Sequence, residues 1–436
     1  MLKHIKKIVA QSPLLQVTSF NSFSIVVKLI TSFAVSKLIA LFLGPSGLTY
    51  IGNLRNALSV LQNFITGGLV KAAVRYSGEN KHDEFGFKTF ISTLLWVLIF
   101  LSLVVFILVY GFSESLSNLV FDQPSYSFVF KWLSVLLPIY GMNAFMLSVL
   151  NGLNHFKKVI KINLFTHILN LLLFGYCLYF YGLNGALMAI IILPSASLVL
   201  TCIIARKHLK VFKIDLKLWT TLQVKNFGQY AFMTMISAIS FPLVYLGIRQ
   251  YLTAQINIDA AGYWEANFRL STFYLIFMQS LLNLYILPKY VQAKSLKEFR
   301  GIAMGFYKQI LPLFAFGLII LFLLRKYLVL IVFSEEFMPV TSILGWQMIG
   351  DFFRISALVL VYQFHAKKMV WHYVLTDLFL AIGLYFSAIL GVQYFDITGV
   401  VIGHAFTYVV YFLIILFIFR KSILNIKVNF QSTNDN

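Results

Sequence analysis

Apolar segments long enough to cross a bilayer recur along the chain, and this feature limits its possible folds more than any other. One hydrocarbon crossing takes roughly 20 apolar residues in a helix. Twelve such segments are predicted, at 19–43, 48–75, 88–111, 126–153, 160–181, 183–205, 226–250, 260–287, 302–324, 339–365, 370–393 and 396–419. Inside hydrocarbon every backbone N–H and C=O must be satisfied within the protein. The segments are read as helices, so an all-α polytopic membrane protein is expected. Composition agrees, with 60% hydrophobic and 11% charged residues in a chain of 436. A soluble protein of this size carries far more charge.

Short turns such as Gly44-Pro45-Ser46-Gly47 and Tyr181-Gly182-Leu183-Asn184 make the spans they join antiparallel neighbours. The charges in the connections set an orientation. The N-terminus, the C-terminus and the loops after the even-numbered spans carry about 24 Lys and Arg residues, against about 2 (Arg325 and Lys326) in the alternate loops. Both termini are therefore expected in the cytoplasm. The formal net charge of +20 is read as this topology plus internal cations. Nucleic-acid binding would require a soluble basic module, and no segment is long enough to form one. Cys177 and Cys202 lie in apolar runs and suggest reduced thiols. The basic first residues lack the pattern of a cleaved leader, so the first span is expected to direct insertion.

The two halves repeat. Asn53-Leu54-Arg55 matches Asn267-Phe268-Arg269, Arg75-Tyr76 matches Lys289-Tyr290, and Glu84-Phe85 matches Glu298-Phe299. Val120-Phe121 likewise matches Val332-Phe333, and His155-Phe156-Lys157-Lys158 matches His365-Ala366-Lys367-Lys368. The expected organisation is an N-terminal six-helix bundle (1–205), a cytoplasmic linker (206–225) and a C-terminal six-helix bundle (226–436). Six spans return the chain to its starting side, so the repeats are parallel. Two such bundles around a midplane site are the plan of an alternating-access transporter.

Charges at bilayer depth are costly and mark candidate sites. Lys28 lies roughly 14 Å into span 1 and Lys37 roughly 27 Å in, on opposite faces of the helix. Lys37 serves a site or equally snorkels to the outer interface. Arg55 in span 2 lies roughly 10 Å from the outer face, and its repeat mate Arg269 in span 8 roughly 13 Å. Glu265 precedes Arg269 by four residues, the favourable order for a helical pair. Asp351 and Arg354 in span 10 are three residues apart and can also pair. Either pair is structural or functional. Arg249, at the outer end of span 7, is an anchor or a ligand. His167, Asp377 and His404 fit satisfied packing groups better than a proton relay. The cations Lys28, Arg55, Arg269 and Arg354 outnumber Glu265 and Asp351, so a net basic cavity suited to an anionic headgroup is expected. Arginine in particular forks onto phosphate oxygens.

The sequence has no GxxxxGK[ST] loop and no HExxH motif, so no cofactor, metal or ATP hydrolysis is expected and an ion gradient is the default energy source. A membrane glycosyltransferase or polymerase would need carboxylates at a surface loop. Glu114, Asp122, Asp259, Glu335, Glu336 and Asp396 form no such motif, and the chain is read as not an enzyme.

A family resemblance enters at the same residues. Gly44-Pro45-Ser46-Gly47-Leu48 with Gly52-Asn53-Leu54-Arg55 resembles the first hairpin of the Wzx-type flippases, the polysaccharide transporter branch of the MOP superfamily. Lys28 and Lys37 fall where that family's span 1 lysines fall. Tyr245 to Gln255 resembles its span 7 ending and carries Arg249. Gly262-Tyr263-Trp264 and Tyr285-Ile286-Leu287-Pro288 match span 8. Trp346-Gln347-Met348-Ile349-Gly350-Asp351, followed by Arg354 and Tyr362, is the most specific run. Arg354 stands where the family has lysine, and Thr272 where an acid is expected.

The resemblance implies a MOP/MATE-like fold and a substrate of undecaprenyl-pyrophosphate-linked oligosaccharide, an O-antigen unit or lipid III. Lys28, Asn53, Arg55, Arg249, Arg269, Asp351, Arg354 and Lys37 would bind it, with Asp351 and Glu265 as possible proton-coupling acids. It also implies the bacterial inner membrane and the neighbourhood of a polymerase and chain-length machinery. Sugar recognition would be spread over polar side chains such as Asn56, Asn63, Gln279 and Gln347. A multidrug or cation antiporter of the related MATE branch is the alternative, and would call for an acidic or aromatic cavity.

Overall fold

The computed structural model describes residues 13–79, 83–206, 218 and 221–423. Nearly all of these are helical. In chain order the helices are α1 (Pro13–Glu79), α2 (Glu84–Gly111), α3 (Ser113–Phe121), α4 (Ser127–Gly152), α5 (Phe156–Ala205), α6 (Thr221–Gln255) and α7 (Ile258–Leu281). They continue with α8 (Leu287–Gln292), α9 (Leu296–Leu323), α10 (Arg325–Val332), α11 (Val340–Ala366), α12 (Val370–Ile418) and α13 (Arg420–Ile423).

Three of the long helices are hairpins. α1 breaks at Gly44 (φ 64°), α5 at Gly182 (φ 54°) and α12 at Asp396 (φ 48°). Glycine reverses the chain at the first two because it has no Cβ to clash at positive φ. Aspartate is one of the few other residues that enters this region. Pro45 follows the first break, where its missing N–H costs no helical bond. Among the described residues, eight helical stretches are long and apolar enough to cross a membrane. Dividing the three hairpins and adding α6 gives the twelve expected spans, so the protein is a multi-pass membrane protein.

Contacts divide the chain into two compact units. The first is Met1–Leu246 with Val332–Ser334, and the second is Gly247–Ile331 with Glu335–Asn436. The division falls inside span 7. The expected linker 206–225 lies largely outside the described residues.

Each half carries one short helix in a connection where no span was predicted, after span 3 in the first half and after span 9 in the second. In the first half this is α3, ending at buried Val120 and Phe121; in the second it is α10, ending at Val332 before Phe333, both buried. The repeated Val-Phe pair thus closes the same element in both halves.

Within the first unit, Gly141 of span 4 sits against Ile65 and Leu98. Asn143 donates to Ser197 Oγ (2.7 Å) and accepts from Thr201 Oγ1 (2.6 Å), which ties span 4 to span 6. Such polar ties and small-residue contacts replace the hydrophobic effect as the glue between helices in lipid. In the second unit, spans 11 and 12 meet along a ladder of small residues four apart. Gly383, Ser387 and Gly391 on one helix face Gly399, Gly403 and Thr407 on the other. Ser387 and Thr407 share a hydrogen bond of 2.7 Å. A methyl group at Gly399 would overlap the Gly391 carbonyl. Gly399→Ala should therefore cost about 1–3 kcal/mol by overpacking. It should lower the melting temperature of the detergent-purified protein, whereas Gly305→Ala, which meets nothing within 4 Å, should leave it unchanged or raised.

Candidate functional site

In the second unit most of the candidate charges lie in two polar clusters, one around Glu265 and one around Asp351. Glu265 of span 8 holds two arginines. Its Oε2 accepts from Arg249 of span 7 at 2.7 Å, and its Oε1 from Arg269 at 2.9 Å. The Glu265–Arg269 pair is the i,i+4 pair read from the sequence. The Arg249 pair joins two spans and was not legible there. Arg249 is 1% exposed, and its guanidinium lies 5.5 Å from the Trp264 ring centroid, within the range of a cation–π contact.

One turn deeper on span 8, Ser271 and Tyr274 both donate to Asp351 Oδ2, Tyr274 at 2.6 Å. Gln347 donates to the same oxygen at 3.3 Å, and its side-chain oxygen accepts from Asn267 at 3.2 Å. His404 of span 12 lies 3.3 Å from Asp351 Oδ1 and 3.0 Å from Gln347 Nε2. Arg354, the expected partner of Asp351, is 4.0 Å away, with its guanidinium 5.6 Å from the Tyr408 ring centroid. Asp351 is therefore held by side chains of three helices, Ser271 and Tyr274 of span 8, Gln347 of span 10 and His404 of span 12, with Arg354 farther off at 4.0 Å. His404, read as a packing group, is part of this network, and so are Ser271 and Tyr274, which drew no attention in the sequence. Their only sequence signal was polarity inside apolar runs.

The first unit is different. Lys28 and Arg55 are exposed. The lipid-type face of span 1 is Phe23, Val26, Ile30 and Phe33, all exposed. Lys28 projects from the opposite side of that helix, so its exposure is not exposure on the apolar stripe. Arg55 begins a polar stripe of span 2 that continues through Ser59, Gln62, Asn63 and Thr66. Asn53 is buried, and its side-chain N–H donates to the Val120 carbonyl at 3.0 Å, so it helps to seat the short helix α3. Lys37 is half-buried and donates to the Phe333 carbonyl.

The repeat mates Arg55 and Arg269 are thus unlike in setting. Four residues before Arg269 stands Glu265; four residues before Arg55 stands Ile51, which is fully buried. The second half pairs its arginine with an acid on its own helix and buries both. The first half leaves its arginine exposed, with a hydrocarbon side chain in the acid's place.

A twelve-span helical fold with cations at bilayer depth defines a class of membrane transporter. The fold matches a multidrug resistance MATE family transporter of the MOP superfamily in its inward-facing conformation. The TM-score is 0.79 at 13% identity, covering 91% of this chain and 95% of that one. It also matches the lipid II flippase MurJ, with a TM-score of 0.70 at 15% identity, covering 94% and 90%. The family model described as "Polysaccharide biosynthesis protein" matches residues 38–342, and this chain belongs to that family. The lipid III flippases of Escherichia coli (strain K12) and Shigella flexneri are each 21% identical over 360 residues, covering 82% of this chain and 86% of theirs. The family resemblance read from the first hairpin and from the Trp346–Asp351 run is borne out.

Removing the acid at the centre of the Glu265 cluster strands two buried guanidinium groups. Breaking one side of a buried ion pair costs about 3–5 kcal/mol. Glu265→Gln should therefore sharply lower the melting temperature and folded yield, and adding Arg249→Met should recover part of the loss. Fluorescence-detected size exclusion after a heating series reads both.

Proposed function

We propose that this protein is a flippase. It carries polyprenyl-pyrophosphate-linked oligosaccharide from the cytoplasmic to the periplasmic leaflet of the bacterial inner membrane by alternating access, with both termini in the cytoplasm. The observation that carries this reading is the pair of exposed cations at bilayer depth in the first unit, Lys28 and Arg55. A pyrophosphate does not enter hydrocarbon unaided, and ammonium and guanidinium groups lower its cost of crossing. The lipid III flippases among its relatives and the loop charge pattern support the same reading. The fold likeness to MATE transporters fits a drug antiporter as well, but cations at these depths repel cationic drugs.

Arg55 and Lys28 of the first unit take the pyrophosphate. In the second unit, Arg249, Arg269 and Arg354 with Asp351 and Glu265 are a second set of candidate substrate-binding groups. Asn53 and Lys37 hold the frame around it. The protein is a transporter rather than an enzyme, supplied and served by glycan polymerase and chain-length machinery. Arg55→Ala should reduce surface glycan export at least tenfold at normal protein level, and unchanged export would overturn the assignment.

For coupling to a proton gradient, Asp351 is the first candidate and Glu265 the second. Asp351 is buried and lies 3.3 Å from the His404 ring. Ser271, Tyr274, Gln347, Arg354 and Tyr408 are the other polar groups around this pair. Asp351→Asn should abolish the pH dependence of transport in proteoliposomes. A pH profile identical to that of the unmodified protein would remove Asp351 from this role.

A further inference from the structure

Span 5 carries a second polar stripe that the pyrophosphate site does not use. Asn163, Thr166, His167 and Asn170 recur at i, i+3, i+4 and i+7, on one face of an otherwise apolar helix. The exposed apolar residues Phe165, Ile168, Leu172 and Tyr176 occupy the opposite face. The stripe therefore points away from lipid. Counting from Phe156, it lies roughly 10–21 Å along the helix, in the middle of the hydrocarbon layer.

Span 1 runs beside it in register. Leu38 packs at Gly175, and Phe42 meets Tyr179 with ring centroids 6.1 Å apart. Both helices advance by four residues between these contacts. Extended backward, the same register sets Lys28 level with Phe165, and the Lys28 ammonium is within electrostatic reach of the His167 ring.

The stripe is not ordinary interhelical glue. Thr166 Oγ1 and Asn170 Oδ1 are buried without a hydrogen-bond partner. Other threonines in the spans close onto the carbonyl four residues back, as Thr31 does on Val27, Thr66 on Gln62 and Thr89 on Phe85. Thr166 does not. Polar atoms buried unsatisfied in an apolar helix lose stability. Valine and leucine would pack there without that loss.

We propose that Asn163, Thr166, His167 and Asn170 form a carbohydrate subsite, which binds the hydroxyl and amide groups of the glycan while Lys28 holds the adjoining phosphate. The inference rests on the flippase reading and extends it to the neutral part of the cargo. A neutral ladder of donors and acceptors is what sugar hydroxyls require. It lies next to the cation because the sugar is joined directly to the pyrophosphate.

The test uses the full-length protein in nanodiscs. Two probes are compared: the lipid-linked oligosaccharide extracted from cells lacking this protein, and undecaprenyl pyrophosphate bearing no sugar. Thr166→Val and Asn170→Leu should each weaken binding of the glycosylated lipid at least tenfold, leave binding of the bare lipid within twofold, and leave the melting temperature unchanged or raised. Unchanged binding of the glycosylated lipid overturns the subsite, as does an equal loss for both lipids. A lowered melting temperature in the near-isosteric Thr166→Val variant, with binding intact, would make the stripe structural and also overturn it. If the unmodified protein binds neither lipid, the flippase reading itself fails; if it binds both and the variants do the same, only the subsite fails.

Discussion

A charge in hydrocarbon must be neutralised, hydrated or carried to the interface, and this protein handles its two sets of intramembrane charges in two ways. In the second unit Glu265 draws Arg249 and Arg269 onto one carboxylate, and Asp351 gathers donors from spans 8, 10 and 12. In the first unit Lys28 and Arg55 stay exposed. The first solution ties helices together. The second keeps positive charge on exposed side chains.

This asymmetry is more informative because the halves are repeats. The sequence repeat sets an arginine at the same point of spans 2 and 8. Four residues earlier stands Ile51 in span 2 and Glu265 in span 8, and Arg269 pairs with Glu265 while Arg55 is exposed. The two clusters of the second unit also carry one positive charge more than they cancel among Arg249, Arg269, Arg354, Glu265 and Asp351. A fold shared at low identity by MATE transporters and a lipid II flippase leaves such charges to decide the cargo, since fold alone does not specify function.

Much of the architecture was legible because its causes are local. Gly44-Pro45 and Gly182 mark chain reversals through their own backbone preferences, and the apolar spans follow from the thickness of a bilayer. The reversal at Asp396 was legible only as the boundary between the predicted spans 370–393 and 396–419. The short helices α3 and α10 were missed because they lie beyond the ends of spans 3 and 9 and, at 9 and 8 residues, are too short to cross a bilayer.

The site was legible only where partners share a helix. Glu265 and Arg269 are four residues apart, and their pairing needs only helical geometry. The partnership of Arg249 with Glu265 crosses from span 7 to span 8, and that of His404 with Asp351 from span 12 to span 10. Local spacing carries no information about which span packs against which. By itself the sequence determined that this chain crosses a membrane many times, in two related halves, with cations at depth. Tertiary structure alone decided which of those cations are buried on carboxylates and which remain exposed, because a charge's partner is chosen by how separate spans pack against one another.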